Sequence, residues 1–545
     1  MKRFLFYICV AAALLGSGAC KKALTETPYS FLSPSNFYTD SSDAVAAVNG
    51  IYGQFWSWGL MYQSYWLIDL DCDHADGASW FLGNIGAGNP AAFWGINDIW
   101  ADHYTMVSRA NSVLANVAGM TSISQGLKNR LMGEAYFLRG WAYFDLVRIY
   151  GQVPVHLKTI QDGDNPNMPK STVAQVFNVV ISDFRAADSL LYMPNDPRSG
   201  EVGRVNKAIA ESFLSKAYIT MASGSLSGAS LTVQGGPDNG MHTYTKDVVA
   251  GYEGFNSASM FDSARTYALK VINMGIYTLF PNFMDVWQIA SRNVGENMWE
   301  IQALAGNTSL ETDLYYYFSA SQPNYSGVGA VWMTDNHYNE YEHPDVRIRL
   351  GVAHQYMVNY GQALYPNWVL YPEQDTALYK TDSLGNQYTW NGTYYDRAYS
   401  MKYSYVTNPG TANSDNDIPM LRYAEVLLLY AEAENEVNGP DATAYQYLNM
   451  VRTRSAASAA TPGMSQQQFR SFVFAERGRE LVFESQRRYD LLRWGVYLQV
   501  MNALGVVQQG NDQITKVRST RNLLFPISTD EIDANPSLGG NNPGW

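Results

Sequence analysis

The most informative segment of this 545-residue chain is Glu134-Ala-Tyr-Phe-Leu-Arg-Gly-Trp-Ala-Tyr-Phe-Asp-Leu-Val-Arg-Ile-Tyr-Gly-Gln-Val-Pro154. Apolar residues recur here at steps of three and four, which predicts an α-helix with an apolar face. Gly151 can cap the C-terminal end of this helix, and Pro154 prevents its continuation. Because aromatic side chains occupy the remaining faces, we expect the helix to be buried on several sides. The residues of the apolar face are Leu131, Ala135, Leu138, Ala142, Leu146 and Ile149.

Similar periodic patterns predict further helices, mainly within 100–221, 262–275 and 419–495. In the last region, Gly439-Pro440 separates two helical patterns that carry alanine at the expected crossing points. Such a pair is typical of tetratricopeptide (TPR) units. Each pair leaves an apolar face open, so the units must stack on one another. The sequence therefore predicts an all-α fold in which TPR-like helix pairs form a superhelical scaffold.

Two regions lack this periodicity, and we expect them to form a loop-rich half with a few short strands. Residues 56–98 are rich in Gly, Trp and Asp, and residues 281–417 are rich in aromatic and turn-forming residues. The Gly/Ser-rich segment 223–254 is predicted to be a flexible excursion from the helical scaffold.

The N-terminus indicates export and lipid anchoring. Lys2 and Arg3 precede an apolar run that is too short to span a bilayer, and Cys20 follows small residues, as in a lipobox. We predict a signal peptide at 1–19, a lipidated cysteine with a tether at 20–35, and a single domain at 36–545. An ordinary signal peptide with a chance cysteine is the alternative.

The charge of the chain argues against nucleic acid as a partner. The formal net charge is −13 at pH 7, and the Lys and Arg residues are scattered, whereas nucleic-acid binding needs a basic surface. After the signal peptide, no stretch is apolar for long enough to cross a membrane. The composition favours an acidic globular body held at a membrane by its lipid.

Several further segments follow one another in the order found in a known family. The chain resembles the SusD/RagB family of outer-membrane nutrient-binding lipoproteins, in these segments and in the helix quoted first. The segments are Ile418-Pro-Met-Leu-Arg-Tyr-Ala-Glu-Val-Leu-Leu-Leu-Tyr-Ala-Glu-Ala-Glu434, Val451-Arg-Thr-Arg454, Glu476-Arg-Gly-Arg-Glu-Leu481, Arg487-Arg-Tyr-Asp-Leu-Leu-Arg-Trp-Gly495, Phe525-Pro-Ile-Ser528, Glu531-Ile-Asp-Ala-Asn-Pro536 and Asn542-Pro-Gly-Trp545.

This resemblance implies a lipid-anchored, surface-exposed receptor of the outer membrane. Such a receptor captures an oligosaccharide or another nutrient and passes it to a SusC-like TonB-dependent transporter. It works by binding without bond cleavage, and no cofactor or metal is implied. Two alternatives stay open, namely a TPR-like scaffold that binds peptide or protein, and an enzyme that acts on a glycan.

Aromatic residues in the loop-rich regions are the best candidates for ligand contacts. A flat ring can bind the apolar face of a sugar, while nearby Asn and Asp accept hydrogen bonds from its hydroxyl groups. One group of aromatics is Trp56, Trp58, Trp66, Trp80, Phe81, Trp94 and Trp100, and another is Trp299, Tyr315, Tyr316, Tyr317, Tyr325 and Trp332. In the family the glycan-binding face is built from such loops. We therefore predict ligand contacts for Trp80, Trp94, Trp332, Tyr325, Asp71, Asp73 and Asn97, with a structural role as the alternative for each.

The acidic segment Asp69-Leu-Asp-Cys-Asp-His-Ala-Asp-Gly77 invites comparison with a metal-binding loop. An EF-hand needs Gly at its sixth position and Glu at its twelfth, where this chain has His74 and Trp80. A looser cation site, a carboxylate-lined loop beside a ligand and a solvated loop remain as interpretations. The histidines are scattered along the sequence, and no metal site is predicted.

The Arg/Glu-rich stretch Glu476–Arg493 is predicted to be one structural helix with internally paired charges, and anion binding is the alternative. Glu476 and Arg479 are three residues apart, and Glu484 and Arg488 are four apart, so each pair can form along one face.

Overall fold

The computed structural model describes residues 37–62, 67–86, 88–92, 95–321, 325–357, 368–371, 397–509 and 512–545. The predicted signal peptide, Cys20 and almost all of the tether lie outside these residues, as does Trp94.

The described residues are mainly helical. Among them, no helix combines the length and the apolar character that a membrane span requires. The α-helices are α1 (Ser41–Tyr52), α2 (Trp58–Tyr62), α3 (Ser79–Gly86), α4 (Ile96–Val117), α5 (Gln125–Tyr150), α6 (Val173–Leu190), α7 (Lys207–Ser225), α8 (Ser257–Asn273), α9 (Leu314–Phe318), α10 (Asp335–Tyr338), α11 (Val346–Arg349), α12 (Tyr423–Asn438), α13 (Ala442–Arg454), α14 (Gln466–Glu480), α15 (Arg487–Arg493), α16 (Tyr497–Leu504) and α17 (Thr529–Ala534).

The long helices pack mainly against their neighbours in sequence. From α4 to α8 each helix contacts the next, and α12 then packs against α8, α13 and α14. Successive helix pairs thus share a continuous core, which confirms the predicted all-α, TPR-like scaffold.

Helix α5 forms the centre of this scaffold. The Ser124 side chain accepts a hydrogen bond from Leu127 N at its start, and Gly151 ends it with φ +71°. Phe137 packs edge-to-face on Phe213 and on Trp299, with ring centroids 5.2 and 5.3 Å apart. The expectation that this helix is buried on several sides is confirmed.

The strands are short and form two-stranded antiparallel pairs. The pairs are β1 (Ala75–Gly77) with β5 (Val331–Met333), β2 (Ser230–Gly235) with β3 (Gly240–Thr245), β4 (Asn297–Ile301) with β10 (Ile418–Arg422), β6 (Val352–Ala353) with β9 (Tyr399–Ser400), β7 (Gln355–Met357) with β8 (Trp368–Leu370), and β11 (Val506–Gln509) with β12 (Asp512–Thr515).

Two irregular regions are more ordered than their composition suggested. Segment 223–254 was expected to be a flexible excursion, but it contains the regular hairpin β2–β3, with Ser230 opposite Thr245 and Gly235 opposite Gly240. Residues 56–98 hold α2, α3 and β1. Elements of three to eight residues are too short to establish a clear hydrophobic period, which is why the sequence pattern missed them.

The prediction of a single helix over 476–493 is wrong. Helix α14 ends at Glu480 and α15 begins at Arg487, because Phe483 and Ser485 adopt left-handed backbone conformations, with φ 61° and 58°. Glu476 does pair with Arg479, with an Nη2–Oε2 distance of 2.8 Å. The other expected pair is replaced, since Glu484 binds Arg422 and Lys402.

Candidate functional site

The acidic segment 69–77 lies inside the protein, where its carboxylates bind cations from the C-terminal part of the chain. Asp71 accepts hydrogen bonds from Arg488 Nε at 3.0 Å, Arg518 Nε at 2.9 Å and the Tyr497 hydroxyl at 2.7 Å. Burial disfavours the charged form of Asp71, but the charges of Arg518 and Arg488 outweigh this effect and lower its pKa.

Asp73 is held in the same manner by one arginine. Nε and Nη2 of Arg487 bind its two carboxylate oxygens at 2.8 and 2.6 Å. Since Asp71 and Asp73 are both buried, a direct ligand contact is corrected to a structural role for each. The loop is neither solvated nor beside an open surface.

Trp332 is also a core residue. It lies in β5 opposite Asp76 and is 0 % exposed. The guanidinium carbon of Arg397 sits 4.0 Å from the centroid of its ring. The predicted ligand contact of Trp332 is therefore corrected as well, because a ligand cannot reach a ring that is covered on all sides.

Trp80, in contrast, is exposed and belongs to a cluster of rings. It is 60 % exposed, and its ring centroid lies 5.6 Å from that of Phe81. Phe81 stacks on Tyr317 at 4.2 Å with an interplanar angle of 20°, and Tyr317 meets Tyr316 edge-to-face at 5.0 Å. We call Trp80, Phe81, Tyr316 and Tyr317 the aromatic platform. Its last three members are half-buried, so the rings are supported from below.

Backbone hydrogen bonds hold the two halves of the platform together. Ala78 N donates to Ala330 O at 2.8 Å, and Ala330 N donates to Tyr317 O at 2.7 Å. The β1–β5 pair, which ends beside Ala78, thereby links α3 with its Trp80 to α9 with its tyrosines. A rigid support of this kind is typical of binding residues on short elements.

Tyr325 is 42 % exposed. The residue after it, Ser326, donates hydrogen bonds from its backbone N and from Oγ to Pro409 O, at 2.8 and 3.1 Å. A cavity nearby, which we call the loop cavity, has a volume of about 380 Å³, and hydroxyl, amide and carboxylate groups are set among the mainly apolar surface of its wall. It is lined by Ala305, Gly306, Thr308, Glu311, Asn408, Thr411, Ala412, Asn413, Ser414 and Asp415.

The larger cavity, of about 520 Å³, lies against α1. Tyr52, Trp56 and Arg204 are among the residues that line it. The Arg204 guanidinium is already paired with Glu134 at 2.8 Å. Because Trp56 lines a different cavity from the aromatic platform, it can serve as a control for the role of Trp80.

Comparison with known proteins matches most of the chain to one family. The model of the SusD family matches residues 295–545, and a model described as "Starch-binding associating with outer membrane" matches residues 91–219. The SusD-like protein P2 of Formosa agariphila is 24 % identical over 543 residues, which cover 96 % of each chain. A crystal structure of a SusD homolog from Bacteroides thetaiotaomicron superposes with a TM-score of 0.73 at 22 % identity, over 94 % of this chain and 98 % of that one.

This chain belongs to the SusD-like family. Another solved relative, crystallised with xylogluco-oligosaccharide, superposes with a TM-score of 0.67 at 19 % identity, over 91 % of this chain and 97 % of that one. In this SusD-like protein the match over residues 91–219 covers α4 to α6 and most of α7. The match over residues 295–545 runs from β4 to the last residue.

Of the predicted ligand residues in this SusD-like protein, Trp80 and Tyr325 are exposed at candidate surfaces and remain predictions. Asn97 is exposed in the first turn of α4 and also remains a prediction, whereas Trp94 lies outside the described residues. The partners of Trp80, namely Phe81, Tyr316 and Tyr317, were not selected from the sequence. The run of three tyrosines from Tyr315 was the available signal, because a run of that kind must place some rings outward.

The hydroxyl group of Tyr317 suits sugar binding in this SusD-like protein. Burial raises the pKa of Tyr317 to about 12, so its hydroxyl stays protonated at neutral pH. A protonated phenol can both donate and accept a hydrogen bond, and sugar hydroxyls offer both roles.

Proposed function

We propose that this SusD-like protein is a lipid-anchored, surface-exposed outer-membrane receptor for a glycan. An oligosaccharide would stack on the aromatic platform, with Trp80 as the main contact, and its hydroxyl groups would be bound near Tyr325 and by the polar side chains of the loop cavity. A SusC-like TonB-dependent transporter would then take the bound sugar. The protein binds without cleaving a bond.

The observation that carries this proposal is the exposed ring of Trp80 beside the stacked pair Phe81–Tyr317. A contiguous group of exposed rings is typical of a binding site, and these rings are pre-arranged by the packing beneath them. The relative crystallised with xylogluco-oligosaccharide supports a sugar as the ligand class.

The affinity is expected to be modest. Transfer to a transporter requires release, so we expect dissociation constants between about 1 μM and 1 mM, or roughly −8 to −4 kcal/mol. A tighter complex would slow the delivery step, since differences in affinity lie mostly in the dissociation rate.

Titration calorimetry of the chain from residue 21 against a panel of oligosaccharides tests this proposal. We expect saturable heat with one class of glycan and a loss of about 30-fold or more in affinity for Trp80→Ala, because a central aromatic contact contributes about 2 kcal/mol or more. The matched control is Trp56→Ala, which should bind like the wild type.

Three results would contradict the proposal. They are an absence of binding across a broad panel, equal binding by the wild type and Trp80→Ala, and the release of shorter sugars from a bound oligosaccharide. The last result would indicate an enzyme.

A further inference from the structure

A second pair of rings, His74 and His337, is stacked in the interior. His74 lies just before β1, and His337 lies in α10 just after β5, so the pairing of these strands brings them together. The ring centroids are 3.5 Å apart with an interplanar angle of 9°. The two residues are 1 % and 0 % exposed.

The carboxylate of Glu340 lies against both rings. Its Oε2 is 3.2 Å from His337 Nδ1, and its Oε1 is 3.7 Å from His74 Nε2. These ligand atoms all lie within 4.8 Å of one another. Two imidazole nitrogens and a carboxylate oxygen are a donor set that suits zinc, whereas Ca²⁺ and Mg²⁺ prefer oxygen alone.

The hydrogen bonds of Tyr341 fix which nitrogen of His337 carries the hydrogen. The Tyr341 hydroxyl donates to Arg479 O at 2.8 Å, so its oxygen can only accept from His337 Nε2, 3.2 Å away. In neutral His337 the lone pair therefore lies on Nδ1, facing Glu340. Two electron-rich atoms at 3.2 Å repel each other unless a proton or a metal ion lies between them, and an outer hydrogen bond such as that to Tyr341 is typical of a metal-binding histidine.

The ring nitrogens of His74 are also available to bind an ion. Both of its ring nitrogens are buried and lack a hydrogen-bond partner. A buried imidazole without any partner is costly, and a bound ion would satisfy one of its nitrogens.

We propose that His74, His337 and Glu340 form a site for a divalent transition-metal ion of the Zn²⁺ type. Zinc lies about 2.0–2.2 Å from such donors, so tetrahedral donors stand about 3.4 Å apart. The His337–Glu340 distance of 3.2 Å is close to this value, whereas the ring of His74 must turn out of its present stack before one of its nitrogens can bind the same ion. Asp73 Oδ2 lies 3.5 Å from His74 Nε2 but already binds Arg487, so the site offers three protein ligands.

The ion would fasten the segment before β1 to the segment after β5. Thr334, which begins α10, already donates from N to His74 O at 3.0 Å and from Oγ to Asp73 O at 3.0 Å. Zinc would strengthen this junction, which lies at the end of the β1–β5 pair. The site does not depend on the proposed glycan function.

Zinc binding by the untagged, chelator-treated protein tests this site. We expect one equivalent of Zn²⁺ by elemental analysis after gel filtration, and a rise of several degrees in Tm on adding Zn²⁺ alone. His337→Gln and Glu340→Gln should each lose at least tenfold in zinc affinity. The matched control is His242→Gln, since His242 is partly exposed and pairs with Asp238 at 3.0 Å.

Circular dichroism of the metal-free proteins separates loss of the site from loss of the fold. Glu340→Gln changes one group at the edge of the cluster. This variant can therefore still test the zinc site if His337→Gln does not fold. The proposal is overturned if the wild type binds no zinc, or if folded Glu340→Gln binds zinc as the wild type does.

Discussion

The pKa of a buried carboxylate in this protein depends on the charged groups around it. Asp71 is bound by two arginines and has a lowered pKa. Glu300, on β4, is equally enclosed, but its neighbour is another acid, Asp417. Burial and the charge of Asp417 raise the pKa of Glu300 to about 8.

The raised pKa makes Glu300 a source of pH-dependent stability. Unfolded glutamate has a pKa of about 4.3, so between about pH 4 and pH 8 the folded state holds a proton that the unfolded state has lost. The stabilisation is complete below the unfolded pKa and is lost as the pH rises to about 8.

Glu300→Gln removes this ionisation and keeps an acceptor oxygen for Asn293 N. We expect the variant to have a Tm a few degrees above the wild type at pH 8.5, with the difference shrinking towards pH 5. Thermal melts at the two pH values measure this change. The exposed Glu253→Gln should show no such trend, and a constant difference for Glu300→Gln would contradict the assignment.

At the scale of elements, glycine has two different roles in the helices. Gly50 in α1 has open space where a Cβ would lie, whereas a Cβ on Gly478 in α14 would stand 2.3 Å from His74 Cε1. The absence of a side chain at Gly478 is what allows the buried histidine to lie against this helix.

Alanine at the two positions should therefore act in opposite directions. In an open helical position Gly→Ala stabilises by up to about 1 kcal/mol, which we expect for Gly50→Ala. Gly478→Ala should destabilise by about 1–3 kcal/mol, because His74 or the helix must shift. Urea unfolding followed by circular dichroism measures the free energy of unfolding of both variants. Stabilisation by Gly478→Ala would contradict the prediction, because it would mean that His74 can shift without cost.

The long helices could be predicted from the sequence because their apolar period repeats over many turns. The break between α14 and α15 could not, since Phe483 and Ser485 are residue types that rarely adopt positive φ. The sequence also could not predict which of the candidate tryptophans would be exposed. Trp80 and Trp332 stand in similar sequence surroundings, but Trp332 lies in β5 beneath Arg397 and Tyr399, whereas Trp80 is exposed.

At the scale of the whole molecule, the proposed attachment to the membrane depends on one residue outside the described part of the chain. Cys20→Ser should release the protein from the membrane fraction, because an acyl chain can no longer be added. Cys72→Ser is the matched control, since Cys72 is buried and should leave attachment unchanged. Fractionation followed by immunoblotting measures this, and retention of Cys20→Ser in the membrane would contradict lipidation at that position.

The interior ion pairs of segment 69–77 also bear on the order in which the molecule folds. Asp73 and its partner Arg487 are 414 residues apart, and Asp71 and Arg518 are 447 apart. Because synthesis begins at the N-terminus, these carboxylates are made long before the cations that neutralise them, and burying them alone is strongly unfavourable. We therefore expect segment 69–77 to take up its final place only when the chain is nearly complete. Such a delay suits passage through a membrane in extended form, and it leaves any prematurely ended chain unfolded and open to proteolysis.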